Sequence, residues 1–220
     1  MTGRRGRATR GGLAALAAGM LLLVPVTGQG AVPDARLEVF KQACLPQHRR
    51  PEARPEVVRA AGFVAAPDKD HPMLAEVMAI SRQKEGELRA DGVRTETSVW
   101  RRDGGDHPLY LVLTTAWAEP IALSGCYLFD FGAEAGIAPE AVSAWLAERP
   151  AQTIDQSGMT AQIWNVETID GVWDLQNSQV SAGSRAAMIV GYDGASIKLT
   201  STVAAAPSGE GDANRTNPGN

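Results

Sequence analysis

The chain has 220 residues, of which 44% are hydrophobic and 21% are charged, and its formal net charge is -4 at pH 7. This length fits one domain of ordinary size, or at most two small ones. An acidic net charge does not favour nucleic acid or an anionic membrane as a partner, since both attract positive surfaces.

Residues 1–30 have the pattern of a secretory signal peptide. Arginines without acids precede an apolar run from Gly12 to Val26, and small residues follow it. A bilayer span needs about 20 apolar residues, and this run is shorter and contains Pro25. We therefore predict cleavage of the leader, no stable membrane span afterwards, and a periplasmic or secreted location. The alternative is an uncleaved leader that tethers an interaction module to the membrane.

Three helices are predicted before the first strand. The segment "DARLEVFKQACL" places Leu37, Phe40 and Cys44 on one helical stripe, and a shorter helix follows from Pro55. The third helix is predicted over "DHPMLAEVMAISRQKEGELRADG", residues 70–92, with its N-terminal cap at Asp70.

The predicted third helix contains two closely spaced acidic residues that are candidates for a carboxylate pair. Glu85 and Glu87 are two positions apart, so their side chains diverge on a helix. We therefore expect both to lie on a solvated surface.

After residue 92, the spacing of apolar residues changes from a helical period to a period of two residues. The segments "VRTETSVW", "PLYLVLTTAW" and "IALSGCYLFDF" predict three antiparallel strands with short connections. In the third strand, Cys126 shares a face with small residues, whereas Tyr127 and Phe129 lie on the opposite face. A helix can approach the small-residue face closely.

The remaining segments predict one helix and a second set of strands. The helix is "APEAVSAWLAERP", and the strands are "TAQIWNV", "GVWDLQ", "RAAMIVGY" and "ASIKLTSTV", with an Asp193-Gly194 hairpin turn between the last two. The predicted fold is α+β: N-terminal helices packed on an antiparallel β-meander, one further helix, then a second set of antiparallel strands. We expect a single domain over residues 31–203, with a possible subdivision near 155, and a disordered tail over 204–220.

Cys44 and Cys126 are the two cysteines of the chain. In a protein bound for an oxidising compartment, an even cysteine count indicates a disulfide before a metal site or a nucleophile. The pair is therefore predicted to tie the first helix to the third strand.

Histidine and acid clusters are the weak candidates for a metal or catalytic site. Asp103, Asp106 and His107 lie together in "DGGDH", yet their spacing matches no known metal-ligand pattern, and a turn around Asp103-Gly104-Gly105 is the preferred interpretation. The sequence also lacks G-x-S-x-G, G-x-x-x-x-G-K-[ST] and G-x-G-x-x-G. We expect no metal and no cofactor.

These observations favour a non-catalytic binding domain of the bacterial cell envelope, with an envelope protein or a small ligand as its partner. The alternative is an exported hydrolase with a site around Asp103, Asp106 and His107, assembled from residues distant in sequence.

Overall fold

The computed structural model describes residues 34–49, 54–168 and 171–204. The predicted leader lies outside these ranges, as does the predicted tail beyond Ala204. The helices in the described residues are α1 (Ala35–Arg49), α2 (Arg54–Ala60), α3 (Pro72–Ala90), α4 (Pro139–Leu146) and α5 (Arg185–Val190). The strands are β1 (Val64–Ala65), β2 (Arg94–Arg102), β3 (Leu109–Ala118), β4 (Ile121–Asp130), β5 (Gln152–Gln156), β6 (Met159–Thr168), β7 (Gly171–Val180) and β8 (Gly194–Ala204).

These strands form one antiparallel sheet in the order β1-β2-β3-β4-β8-β7-β6-β5. The sheet consists of two four-stranded meanders, which meet where β4 pairs with β8 and Cys126 lies opposite Leu199. The strands on either side of residue 155 therefore share one sheet. The fold is α+β, with N-terminal helices, a first meander, a further helix and a second set of strands, as the sequence predicts.

Helices α1, α2 and α4 cover the face of the sheet that carries Cys126, which we call the front face. Phe40 of α1, Val58 of α2 and Val142 of α4 are each fully buried in the main apolar core. The sheet contributes large side chains to the same core, among them Trp164 and Leu175. Burial of side chains of this size stabilises the fold by about 1.5–3 kcal/mol each.

Helix α3 covers part of the opposite, back face. Leu74 and Met78, in its N-terminal half, pack on a second core that includes Val112 of β3 and Phe129 of β4. The chain places α3 between β1 and β2, within the first meander. The aromatic side of β4 is thus buried where α3 and Tyr192 lie over it.

Among the described residues, no helix lies between β5 and β6, the first two strands of the second meander, as α3 lies between β1 and β2. Strands β5 and β6 are joined directly at Ser157 and Gly158, whose φ angles are 56° and 83°. Two successive residues with positive φ form the type I′ turn that suits a tight hairpin. The turn leaves no helix between β5 and β6. The C-terminal end of α5 lies on the back face against the N-terminal half of α3, where Gly191 meets Glu76 and Ile80, and the sheet beside the C-terminal half of α3 stays open.

The segment "RAAMIVGY" is a helix and not the predicted strand. Ser184 caps α5 by accepting a hydrogen bond from the Ala187 N–H at 3.1 Å, and Gly191 ends it with φ 81°. These two caps outweigh the β-branched Ile189 and Val190 that suggested a strand. The Asp193-Gly194 pair consequently joins a helix to β8 and does not form a hairpin turn.

The cap of α3 also differs from the prediction. His71, and not Asp70, caps the helix, because its Nδ1 accepts a hydrogen bond from the Met73 N–H at 3.2 Å. Asp70 instead accepts hydrogen bonds from Arg101 and from the hydroxyl of Tyr110. It therefore links the start of α3 to β2 and β3.

Cys44 and Cys126 form a disulfide that joins α1 to β4 across 82 residues of sequence. The Cα atoms are 5.7 Å apart and both cysteines are buried on the front face. A buried disulfide is compatible with an oxidising compartment. None of the helices in the described residues is long and apolar enough to cross a membrane.

Arg36 connects the start of α1 to the loop after β4. Its guanidinium donates to Asp34, to Asp130 and to the main-chain carbonyls of Ala135 and Gly136. Partial burial of Asp34 acts to raise its pKa, but hydrogen bonds and charge from Arg36 outweigh burial and hold that pKa below its ordinary value. The ion pair therefore contributes most to stability while Asp34 is ionised.

Candidate functional site

A groove of about 430 Å³ runs along the open part of the back face. One wall is the C-terminal half of α3, from Ser81 to Leu88, and β7 bounds the opposite side. Small-molecule sites in proteins have volumes of roughly 300–1,000 Å³. We call this feature the back-face groove.

The floor of the back-face groove is a single row of residues that lie opposite one another on five adjacent strands. This threonine row consists of Thr97, Thr114, Gly125, Thr200 and Asp174. Three threonines and a glycine occupy four of the strands, so the row forms a trough. The hydroxyls within it can donate and accept hydrogen bonds.

The neighbouring row of residues lies on the side of the trough nearer the N-terminus of α3. It carries larger side chains, which close that side of the trough. Tyr127 belongs to it, and its ring lies over Gly125, where a Cβ atom would come within 2.5 Å of Tyr127 Cε2. The Tyr127 hydroxyl shares a hydrogen bond with Thr114, while burial raises the pKa of Tyr127 above its ordinary value. The absence of a side chain at Gly125 is thus what allows the ring to form this wall.

Large apolar side chains converge on the mouth of the back-face groove. Leu88, Leu123 and Val172 line it with exposed fractions of 39%, 49% and 52%, and they belong to three different elements. Ile121, two positions before Leu123 on the same face of β4, is 40% exposed. Single exposed apolar residues are common, but a group of them around a concavity indicates a binding surface.

Glu85 is buried at the α3 end of the threonine row, which corrects the prediction that it is solvated. It is 6% exposed and accepts hydrogen bonds from Arg82, Arg89 and the hydroxyl of Thr97. Glu87 is exposed, as predicted. Arg82 and Arg89, at three and four residues from Glu85 on one helical face, are the sequence signal that could have indicated this burial.

Lys198 lies on β8 beside the back-face groove, directly opposite Tyr127 on β4. Burial lowers the pKa of its ammonium group, and the charge of Asp174 acts in the opposite direction. The Lys198 Nζ atom is 5.7 Å from the centre of the Tyr127 ring. Lys198 therefore adds positive charge near one side of the trough without lining it.

Asp103, Asp106 and His107 line a second, polar groove of about 670 Å³ at the other end of the sheet. His107 Nδ1 is 3.9 Å from Asp130 Oδ1, a separation too long for a hydrogen bond. Asp103 accepts hydrogen bonds from Arg101. The structure thus places the three predicted residues in one groove, together with Asp130.

The chemistry available in the polar groove is limited. Among the described residues that line it there is no serine, threonine or cysteine. In the part of the chain that the structure describes, no three His, Cys, Asp or Glu side chains are grouped so that they could hold a metal ion. His71 is occupied in the cap of α3 and stacks on Phe131 at 4.9 Å.

Sequence reasoning missed the back-face groove, although the strands contain a signal for it. Thr114 and Gly125 each interrupt a largely apolar strand near its middle, and Thr200 interrupts β8 after Leu199. A glycine inside a strand often marks close approach of another group. The three interruptions become one feature only when the strands are aligned in the sheet.

No family model, curated protein or solved structure matches the chain. The geometry of the two grooves is therefore the basis for assigning a function.

Proposed function

We propose that the protein is an exported, periplasmic or secreted, non-catalytic domain that binds a small amphipathic molecule in the back-face groove. The observation that carries this proposal is the convergence of Leu88, Leu123 and Val172 on a concave surface whose floor is the threonine row. An apolar lining with a few placed polar groups is typical of ligand sites. The disulfide between Cys44 and Cys126 supports an oxidising location.

The ligand's apolar part would lie against the side chains at the groove mouth, and its hydrogen-bonding groups would face the threonine hydroxyls. Burial of apolar surface supplies the free energy of such binding, at roughly 25 cal/mol per Å² removed from water. Of the three threonines, Thr200 is the most available hydrogen-bond partner for a ligand. Thr97 already donates to Glu85, and Thr114 shares a hydrogen bond with Tyr127. The polar floor thus favours a molecule that is not purely hydrocarbon.

The test is fluorescence titration of the mature protein with N-phenyl-1-naphthylamine, an uncharged apolar dye that brightens when it leaves water. We expect saturable binding by the wild type and at least about tenfold weaker binding by Leu123→Glu, since a loss of about 1.4 kcal/mol is tenfold in affinity. Met188→Glu is the matched control, because Met188 is 77% exposed on α5 and does not line the groove. Val172→Glu is a second variant on the opposite wall, and circular dichroism checks folding of all three.

Unsaturable dye binding, or equal affinity in the wild type and both groove variants, contradicts the proposal. Weaker binding by Met188→Glu alone would place the dye on α5 and would also contradict it.

The hydrolytic alternative around Asp103, Asp106 and His107 stays a separate proposal, favoured by the proximity of His107 to Asp130 in the polar groove. Such a pair could act as a general base toward water. Assays with p-nitrophenyl esters and phosphates test it: turnover that His107→Gln removes would support a hydrolase, and turnover unchanged by His107→Gln would contradict this site.

A further inference from the structure

The charged groups of the back-face groove are not equally available to a ligand. Its lining includes Lys84, Glu85 and Asp174. The Lys84 ammonium is 2.7 Å from a carboxylate oxygen of Glu87. Glu85 is saturated by the two arginines and the threonine hydroxyl described above.

Asp174 differs from both of these residues. It stands at the β7 end of the threonine row, opposite Thr200, and it is exposed. Among the described residues, its carboxylate accepts one hydrogen bond, from Asn165 Nδ2 to Oδ1 at 2.7 Å. Its second oxygen is therefore open to a donor that enters the groove.

The surroundings of Asp174 combine this negative charge with apolar surface. Val172 is two positions away on β7 and points to the same face of the sheet, where it is half exposed. Lys198, on the adjacent strand, feels the charge of Asp174, but its ammonium group lies 5.7 Å from the centre of the Tyr127 ring and does not line the groove. The β7 wall thus offers an anion beside a hydrophobic contact.

This inference rests on the proposed function. We propose that the ligand of the back-face groove is a free cationic amphiphile. Its hydrocarbon or aromatic part would lie against Leu123 and Val172, and its ammonium group beside Asp174. Charge complementarity argues for this occupant, since Asp174 is the lining charge without a full set of partners. The acidic net charge of -4 adds a general attraction for cations. The volume of about 430 Å³ suits one molecule and not a bilayer surface.

The experiment compares three ligands with the same chain length as competitors of the naphthylamine dye, each below its micelle-forming concentration: decyltrimethylammonium, decyl glucoside and decyl sulfate. Measurements at low salt keep charge effects visible. We expect the cation to compete best and the sulfate least, with about a three- to tenfold preference for the cation over the neutral glucoside, because an ion pair at a groove mouth is weak.

Asp174→Asn retains the shape of the side chain and removes its charge. We expect this variant to bind the glucoside as the wild type does and to lose the preference for the cation. Asp155→Asn is the control. Asp155 is exposed on the front face of β5, and its substitution changes the net charge by the same amount.

Each outcome decides the inference. A wild type that binds decyl sulfate as well as the cation overturns it, as does an unchanged cation preference in Asp174→Asn or an equal loss in Asp155→Asn. If the dye binds in the groove but the preference is missing, this inference fails while the proposed function stands. If the dye does not bind at all, both fail.

Discussion

The ring of Tyr127 lies on the bare backbone of Gly125, so close that one added methyl group at Gly125 would overlap it. The two residues are on the same face of β4, two positions apart, and together they make the wall and floor of the back-face groove. The shape of the groove therefore depends on a glycine in the middle of a central strand.

Gly125→Ala is expected to destabilise the protein by about 1–3 kcal/mol, the usual cost of overpacking, because the Tyr127 ring must move. Urea unfolding measures this change. The double variant Gly125→Ala/Tyr127→Leu should recover part of the loss, and additive effects of the two substitutions would contradict the contact. Gly86→Ala is the control: a Cβ there meets nothing within 4 Å, so inside helix α3 it should stabilise by about 0.5–1 kcal/mol.

Glu85→Gln is expected to destabilise the protein by about 1–3 kcal/mol. The substitution removes the buried negative charge that accepts hydrogen bonds from Arg82 and Arg89. It also places an amide N–H group beside these donors, where a further donor cannot be satisfied. Glu87→Gln, two residues along the same helix and exposed, should change stability by less than about 0.5 kcal/mol. Equal effects of the two substitutions would mean that Glu85 is solvated after all.

Removal of the disulfide by Cys44→Ala/Cys126→Ala is expected to lower the free energy of unfolding. The chain-entropy model gives roughly 4–5 kcal/mol for a loop of this length, and measured losses are often smaller. Urea unfolding of oxidised wild type and variant measures the difference. Mass spectrometry of the protein should find it lighter than the reduced form by two hydrogen atoms, whereas two free thiols under non-reducing denaturation would rule out the bond.

Acid is expected to weaken the contact between Asp34 and Arg36. Because the folded-state pKa of Asp34 is lowered, its contribution is fully present above the unfolded pKa of about 3.9 and is lost as the pH falls through the folded value. The stability difference between wild type and Asp34→Asn should therefore be largest near pH 6 and shrink toward pH 3. A difference that stays constant over this range would show that Asp34 does not act through its charge.

Most helices and strands follow from local sequence pattern. The stripe of Leu37, Phe40 and Cys44 predicts α1, and alternation predicts β2 to β4, because both patterns arise from residues that are close in sequence. The helix α5 was mistaken for a strand because its apolar residues suit either structure and the caps at Ser184 and Gly191 decide between them. The short β1 and β5 carry too few residues for a period to be recognised.

The candidate site could not be predicted in the same way. Thr114, Gly125 and Thr200 become neighbours only because β8 pairs with β4, a contact between residues 75 positions apart in the case of Gly125 and Thr200. The burial of Glu85 likewise depends on Thr97 of β2, on the sheet below α3. The local sequence pattern specifies the helices and strands, whereas the order of the strands in the sheet creates the groove.

The pairing of β4 with β8 also has a consequence for how the fold is assembled. The strand that joins the two meanders is the last in sequence of the eight that the structure describes, so a partly synthesised chain that ends before Gly194 would leave β4 and β7 as unpaired edges. Contacts between residues this far apart form slowly, and exposed edges invite pairing between chains. Completion of the sheet by β8 therefore protects the protein from aggregation as well as building the floor of its groove.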